Sequence, residues 1–229
     1  MALVPFRKTE RRKRQPLDQA QVVRAALVLL DEVGLDELTM RRLAETLGVK
    51  AAALYRHVRS KDELLALLGD EISAEIPFVS ATGSWQSQLS EMAWNVRRGL
   101  LAHRDGPRVL ANTPPVGPRR LRHIEEVLRV LRAGGLSERD AAHAAHHLNN
   151  FVTEFAADEA RLTAFAGSRG STRRKMLGEA RRQFKSLPVQ DYPTIVALAD
   201  HLTEDDQDGL FQFGIDMFLR GLRALSKRE

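Results

Sequence analysis

"LTMRRLAETLGVKAAALYRHVRSKDELL", residues 38–65, decides the fold. Its spacing predicts three helices in quick succession. Thr39 caps the first, near 40–47, whose Met40, Leu43, Ala44 and Leu47 fall on one face. Gly48 permits a sharp turn, with Val49 tucked beneath it. The second helix, near 51–57, offers Leu54 and Val58 to the same core and leaves Lys50, Ala51, Ala52, Ala53, Tyr55, Arg56 and His57 on its other faces. Ser60-Lys61-Asp62-Glu63 then reads as a capping box opening a helix that runs to about Ile76. Two short helices joined by a glycine turn form a helix-turn-helix, which lays its second helix in the DNA major groove.

The residue types suit that placement. Lys50, Arg56, Arg59 and Lys61 are all cationic and precede the acid Asp62. The alanines leave no bulk between backbone and base edges, and their methyls can touch thymine methyls. Tyr55, His57 and Thr39 offer polar groups to phosphates, and Arg41 can reach a guanine edge from the first short helix. Short paired helices with a solvated charged face also occur in proteins that never meet DNA. The pattern alone leaves both readings open.

Outward from this stretch, Asp18 caps a preceding helix that buries Val22, Ala26, Leu27, Leu30 and Val33 and stops at Gly34. No proline falls between Leu17 and Ile76, or between Arg119 and Leu187, so long helices fit those windows. "IPFVSATGSW" (76–85) is the best linker. Further helices are expected near 85–103, 107–112, 119–133, 138–165, 173–186, 193–202 and 206–226. No stretch sustains strand-like alternation, so the expected class is all-α. The expected parts are a basic arm over 1–16, a DNA-binding domain over 17–72 and a larger helical domain over 73–229.

Composition supports the division. The net charge is +5, and residues 1–16 alone carry six Lys or Arg against one acid, so the excess resides in the arm. Such an arm suits phosphate neutralisation, or serves only as a solubilising tail. The chain has no cysteine, which excludes disulfides and thiolate metal sites. Apolar runs no longer than "AALVLL" fall far short of the roughly 18–20 residues of a membrane span, and "MALVPF" is too short for a signal-peptide core. The expected location is the cytoplasm, with no membrane partner.

The stretch 38–68, with its Leu-Gly-Val turn, Leu-Tyr-x-His-Val ending and Lys-Asp-Glu-Leu-Leu start, resembles the DNA-binding domain of the TetR family of transcriptional regulators. The resemblance covers 17–72, departing at Ala52, where members often carry proline. It implies DNA contacts at Thr39, Arg41, Ala51, Ala52, Ala53, Tyr55, His57 and Lys61, to which the charge pattern adds Lys50. It also implies a homodimer, here through helices near 138–159 and 206–226, that binds a double-stranded operator. The function implied is a repressor released from a palindromic operator by a small molecule, or a ligand-independent regulator or activator of the same fold.

"GSWQSQLSEMAWNVRRGLLAHRDGPRVLANTPP" and "LRAGGLSERDAAHAAHHLNNFVTEFAADE" are similar to the C-terminal domain of the tetracycline repressor subfamily. That likeness places polar effector contacts at Thr113, Asn150 and Asp158, and wall or amide positions at Met92, Val96 and Val127. The subfamily's drug-chelating histidines do not carry over, since the matching stretches read "SAEIP" and "RVLAN", the latter placing Leu110 at an effector-facing position in place of a histidine. A more apolar pocket is expected, with no cofactor. "RRKMLGEARRQFKSLP" reads as a pocket lid or a solvated amphipathic helix. The final helix carries too much apolar surface to stand exposed, so it reads as core, dimer interface or both.

Sharper chemistry finds little support. His143, His146 and His147 have zinc-like spacing on one helix but no third ligand, so partly buried interface histidines are the better reading. The pair Glu154 and Asp158 is ordinary helix-surface spacing. G-x-S-x-G, P-loop and dinucleotide fingerprints are absent, so an enzyme is not expected.

Overall fold

The computed structural model describes residues 17–226; the basic arm lies outside them. Eleven helices form among the described residues, with no strand: α1 (Gln19–Val33), α2 (Met40–Leu47), α3 (Ala51–Leu54), α4 (Lys61–Glu75), α5 (Trp85–Leu101), α6 (Gly106–Ala111), α7 (Pro118–Ala133), α8 (Glu138–Ser168), α9 (Arg173–Lys185), α10 (Pro193–Leu202) and α11 (Gln207–Leu225). The helix starts follow local chemistry. Asp18 Oδ1 accepts from Gln21 N at 2.7 Å, and Gln21 returns the bond to Asp18 N at 3.1 Å, a reciprocal cap. Thr39 Oγ1 accepts from Arg42 N at 3.1 Å and starts α2. Gly48 closes α2 at φ 63°, a left-handed geometry that costs roughly 1–2 kcal/mol with a Cβ.

Two expectations near the turn need correction. The second helix is helical only over Ala51–Leu54, not to residue 57. His57 N and Val58 N both donate to Leu54 O, at 2.8 and 2.9 Å, so the chain tightens there and returns Val58 to the core. The capping box at Ser60 is also not reciprocal. Ser60 Oγ accepts from Glu63 N at 3.1 Å, but Glu63 Oε2 accepts from Arg59 N at 2.6 Å, one residue before the cap.

One hydrophobic cluster joins α1, α2, α3 and α4 through side chains such as Val22, Leu30, Leu43, Leu54, Leu64 and Leu68. Leu100, Val109 and Ala156, from α5, α6 and α8, belong to the same cluster. The expected boundary near residue 72 is therefore bridged by a shared core. A second cluster packs α5, α7, α8 and α11 around Phe211. Trp94, Phe151 and Phe155 surround that ring at 4.9, 5.6 and 5.1 Å between centroids. Buried Arg97 lies over it at 5.0 Å and pairs with Glu159 at 2.9 Å and Asp208 at 2.7 Å.

α11 has two apolar faces. Phe211, Ile215 and Leu222 are buried, whereas Leu210, Phe213 and Met217 are exposed on the other side. α9 buries no residue and pairs with α10 through Arg181–Thr203 and Lys185–Asp200 hydrogen bonds. It forms no wall of the cavity described below, so in the single chain it is a solvated arm rather than a lid. Among the described residues no helix is long and apolar enough to cross a membrane.

Candidate nucleic-acid interface and effector cavity

α3 buries Leu54 and turns Lys50, Ala51, Ala52 and Tyr55 to solvent, with Ala53 and His57 half-buried. Tyr55 is 50% exposed, which leaves its ring free of the core. The His57 carbonyl accepts from Gln19 Nε2 at 3.0 Å, clamping the end of the turn to α1. Thr39 and Arg41 lie exposed at the start of α2. Arg41 pairs with Glu45 at 3.0 Å, but both side chains are well exposed, so exchanging Glu45 for a phosphate or base costs little. Lys61 is half-buried at the start of α4, its Nζ donating to Leu35 O at 3.5 Å. The surface from Lys50 to Lys61 thus forms one outward edge on a packed three-helix support.

A polar latch that sequence reasoning missed ties this support to α5 and α6. His103 lies between two carboxylates, Nδ1 3.0 Å from Asp31 of α1 and Nε2 3.0 Å from Glu75 of α4. Burial alone lowers the imidazole's pKa, but the bonds to and charges of Asp31 and Glu75 outweigh it, and the net shift is upward. Arg104 donates to Glu32 O at 2.8 Å, and Asp105 accepts from Leu35 N at 2.8 Å. Arg108 pairs with Asp36 at 2.8 Å and with Asp105 at 3.1 Å. Gly34 fits beneath this latch because its φ is 82° and an added Cβ would meet Arg104 Nε and Asp105 Oδ2 at 3.0 Å. No local pattern announces it: its partners in and just after α1 lie 70 to 73 residues away in sequence, and Glu75 lies 28 away.

A cavity of about 540 Å³ opens among α4, α5, α6, α7 and α8. Met92, Val96, Leu110, Thr113, Val127 and Asn150 line it, as expected positions for an effector pocket. Asp158 does not, which corrects that expectation. By Asp158, α8 has run past the cavity to where neighbouring Ala156 joins the first core, and the carboxylate faces solvent paired with Arg161. The wall also holds residues not anticipated, notably Arg120, His123, Ser73 and Thr153. For Arg120 and His123 the signal was present in "RRLRHIEEVL", where Arg120, His123, Ile124 and Val127 recur on one helical face; nothing comparable marks Ser73 or Thr153.

Arg120 is only 9% exposed. Its Nη1 donates to Thr113 Oγ1 at 2.8 Å, Thr113 O at 3.1 Å and Pro114 O at 3.3 Å, and its Nη2 to Leu110 O at 3.3 Å. Burial lowers its pKa, partly offset by the charge of Asp70. His123 Nε2 lies 2.9 Å from Ser73 O, and since a carbonyl only accepts, that nitrogen carries the proton. His143, His146 and His147 are exposed in the single chain, and His146 bonds Asn150 at 3.0 Å on the cavity rim. Among the described residues no group of three His, Cys, Asp or Glu is placed to hold a metal.

Comparison with known proteins agrees with this architecture. Residues 22–68 match "Bacterial regulatory proteins, tetR family" and residues 77–226 match "Tetracyclin repressor-like, C-terminal domain". The chain is 36% identical over 204 residues to the tetracycline repressor protein class A from transposon 1721 of Escherichia coli, covering 88% of each chain. It superposes on ActR of Streptomyces coelicolor, a TetR family protein crystallised with actinorhodin, at a TM-score of 0.84 and 36% identity, covering 93% of this chain and 98% of that one. It also superposes on BioQ, crystallised with its double-stranded DNA operator, at a TM-score of 0.66 and 26% identity, covering 91% of this chain and 99% of that one. With both of its halves matched and the helix-turn-helix in place, the chain belongs to the TetR family of DNA-binding transcriptional regulators.

Proposed function

We propose that a dimer of this chain represses transcription by gripping operator DNA with two copies of the Lys50–Lys61 surface, assisted by Thr39 and Arg41. A small molecule entering the α4–α8 cavity then releases it. Half-site centres would lie about 34–36 Å apart, or a multiple of that. The exposed apolar face of α11 and the adjoining outer face of α8 would form the two-fold contact. ActR, crystallised with actinorhodin, and the tetracycline repressors are relatives whose names point to small-molecule effectors.

The observation that carries the proposal is the course of α4. It begins at Lys61 beside the reading surface and ends at the cavity, where Ser73 and the following Ile76 form part of the wall. α6 makes a second link, with Leu110 in the wall and Arg108 latched to Asp36. A ligand that moves either helix pulls on the reading head, and the coupling required is only about 1–3 kcal/mol.

The test uses a duplex selected by the full-length protein from a random pool, titrated by gel shift at fixed salt. Tyr55→Ala and Lys50→Ala should each weaken binding about tenfold or more while the dimer persists. Unchanged affinity in both would refute the assigned surface.

A further inference from the structure

The cavity holds a charge that its own walls do not neutralise. Three of its walls, from α5, α7 and α8, present apolar side chains: Met92, Val96, Ile124, Val127, Leu128 and Val152. Into this setting α7 places Arg120, a residue nine-tenths buried. Every acceptor it contacts is neutral: the carbonyls of Leu110, Thr113 and Pro114 and the Thr113 hydroxyl. Its Nε has no acceptor among the described residues. Asp70 does not reach the guanidinium. Its oxygens accept instead from the backbone N–H groups of Arg119 at 2.9 Å and Arg120 at 3.0 Å and from Arg119 Nη1 at 3.4 Å, so its direct ion pair is with Arg119.

A buried cation costs several kcal/mol unless it is compensated, and an apolar side chain of that length would fill the wall without the cost. The contacts of Nη1 and Nη2 clamp the α6–α7 turn, which explains part of the arrangement. They do not need a full charge, and they leave the Nε side of the fork unused. His123 stands one helical turn along the same face, with Nε2 committed to Ser73. The one carboxylate of the lining, Glu154, is exposed at the rim, where water screens it.

We propose that the effector is an anion, an apolar ring system bearing a carboxylate or ionised phenol oxygen that docks on Arg120. This rests on the reading of the cavity as the effector site. The ring system fills the apolar walls, and the acidic oxygen accepts from the unused edge of the guanidinium. Charge-assisted bonds are roughly twice as strong as neutral ones, which in a buried site gives about a tenfold preference for acid over neutral isostere.

The experiment titrates the full-length protein with anthracene-2-carboxylate and with anthracene-2-carboxamide, a neutral probe of the same shape, by calorimetry at pH 7.5. The wild type should prefer the carboxylate about tenfold or more. R120M should reduce the preference to within about twofold while still binding the carboxamide, and R120K should retain part of it. If R120M does not fold, R120Q, which can still donate to the turn carbonyls, replaces it with the same expectation. A preference that survives loss of the charge, or a wild type that favours the carboxamide, overturns the assignment. Carboxamide binding that V127W abolishes, without any acid preference, sinks the anion proposal but leaves the cavity as a ligand site. Failure of the wild type to bind either probe counts against the anion proposal, while operator binding by the Tyr55 surface is decided separately by gel shift.

Discussion

Replacing Arg97 by methionine tests how the C-terminal helices are held together. Arg97 of α5 has a side chain only 5% exposed, and it binds Glu159 of α8 through Nε at 3.0 Å and Nη2 at 3.1 Å. Its third partner, Asp208 of α11, has a side chain 76% exposed, so that pair contributes at most about 1 kcal/mol. Loss of one partner from a fully buried pair costs about 3–5 kcal/mol, because the other charge stays behind unpaired. Glu159 keeps 19% of its side-chain exposure and can turn partly to water, which lowers the figure to roughly 2–4 kcal/mol. Methionine still packs against Trp94 and Phe211, so the aromatic contribution largely remains. R97M should therefore lose about 3 kcal/mol, a change of roughly 1 M in urea midpoint at a slope of about 3 kcal/mol per M. Protein concentration must be fixed, since folding and dimerisation are linked. The double variant R97M/E159M removes both charges and should return to within about 1 kcal/mol of the wild type, since a buried pair and a packed apolar pair are near break-even. A loss below about 1 kcal/mol in R97M, or a double variant no more stable than R97M, would refute the reasoning.

The His103 latch makes stability depend on pH. Its folded pKa is raised above 6.5, so the latch contributes fully below 6.5 and the contribution is lost as pH rises through the folded value. Urea midpoints of the wild type should fall across that window relative to H103Q, and parallel profiles would show that the imidazole does not report on Asp31 and Glu75. On α11, Phe213 and Met217 are 62% and 57% exposed and lie outside the core. The variant F213D/M217D should keep its helix content yet sediment as a monomer, because a two-fold interface counts each substitution twice. A dimer persisting at micromolar concentration would move the pairing surface elsewhere.

Sequence by itself settled the elements and the family. Helix starts are local events: Asp18, Thr39 and Ser60 each satisfy a backbone N–H within three residues, so the chain announces them wherever it folds. The outward set from Lys50 to Tyr55 was legible for the same reason, since Leu54 and Val58 fix which side of so short an element is buried. The length of α3 was not legible, because Leu54 O receives two donors from a turn that composition does not encode. Tertiary structure alone decided what lies far apart in the chain. Asp31 and Glu75 meet across His103, Asp158 passes beyond the cavity, and Arg120 enters an apolar wall where its charge finds only neutral oxygens. Such placements depend on how helices cross, and crossing is set by side chains interlocking between segments, which no periodicity along one segment records.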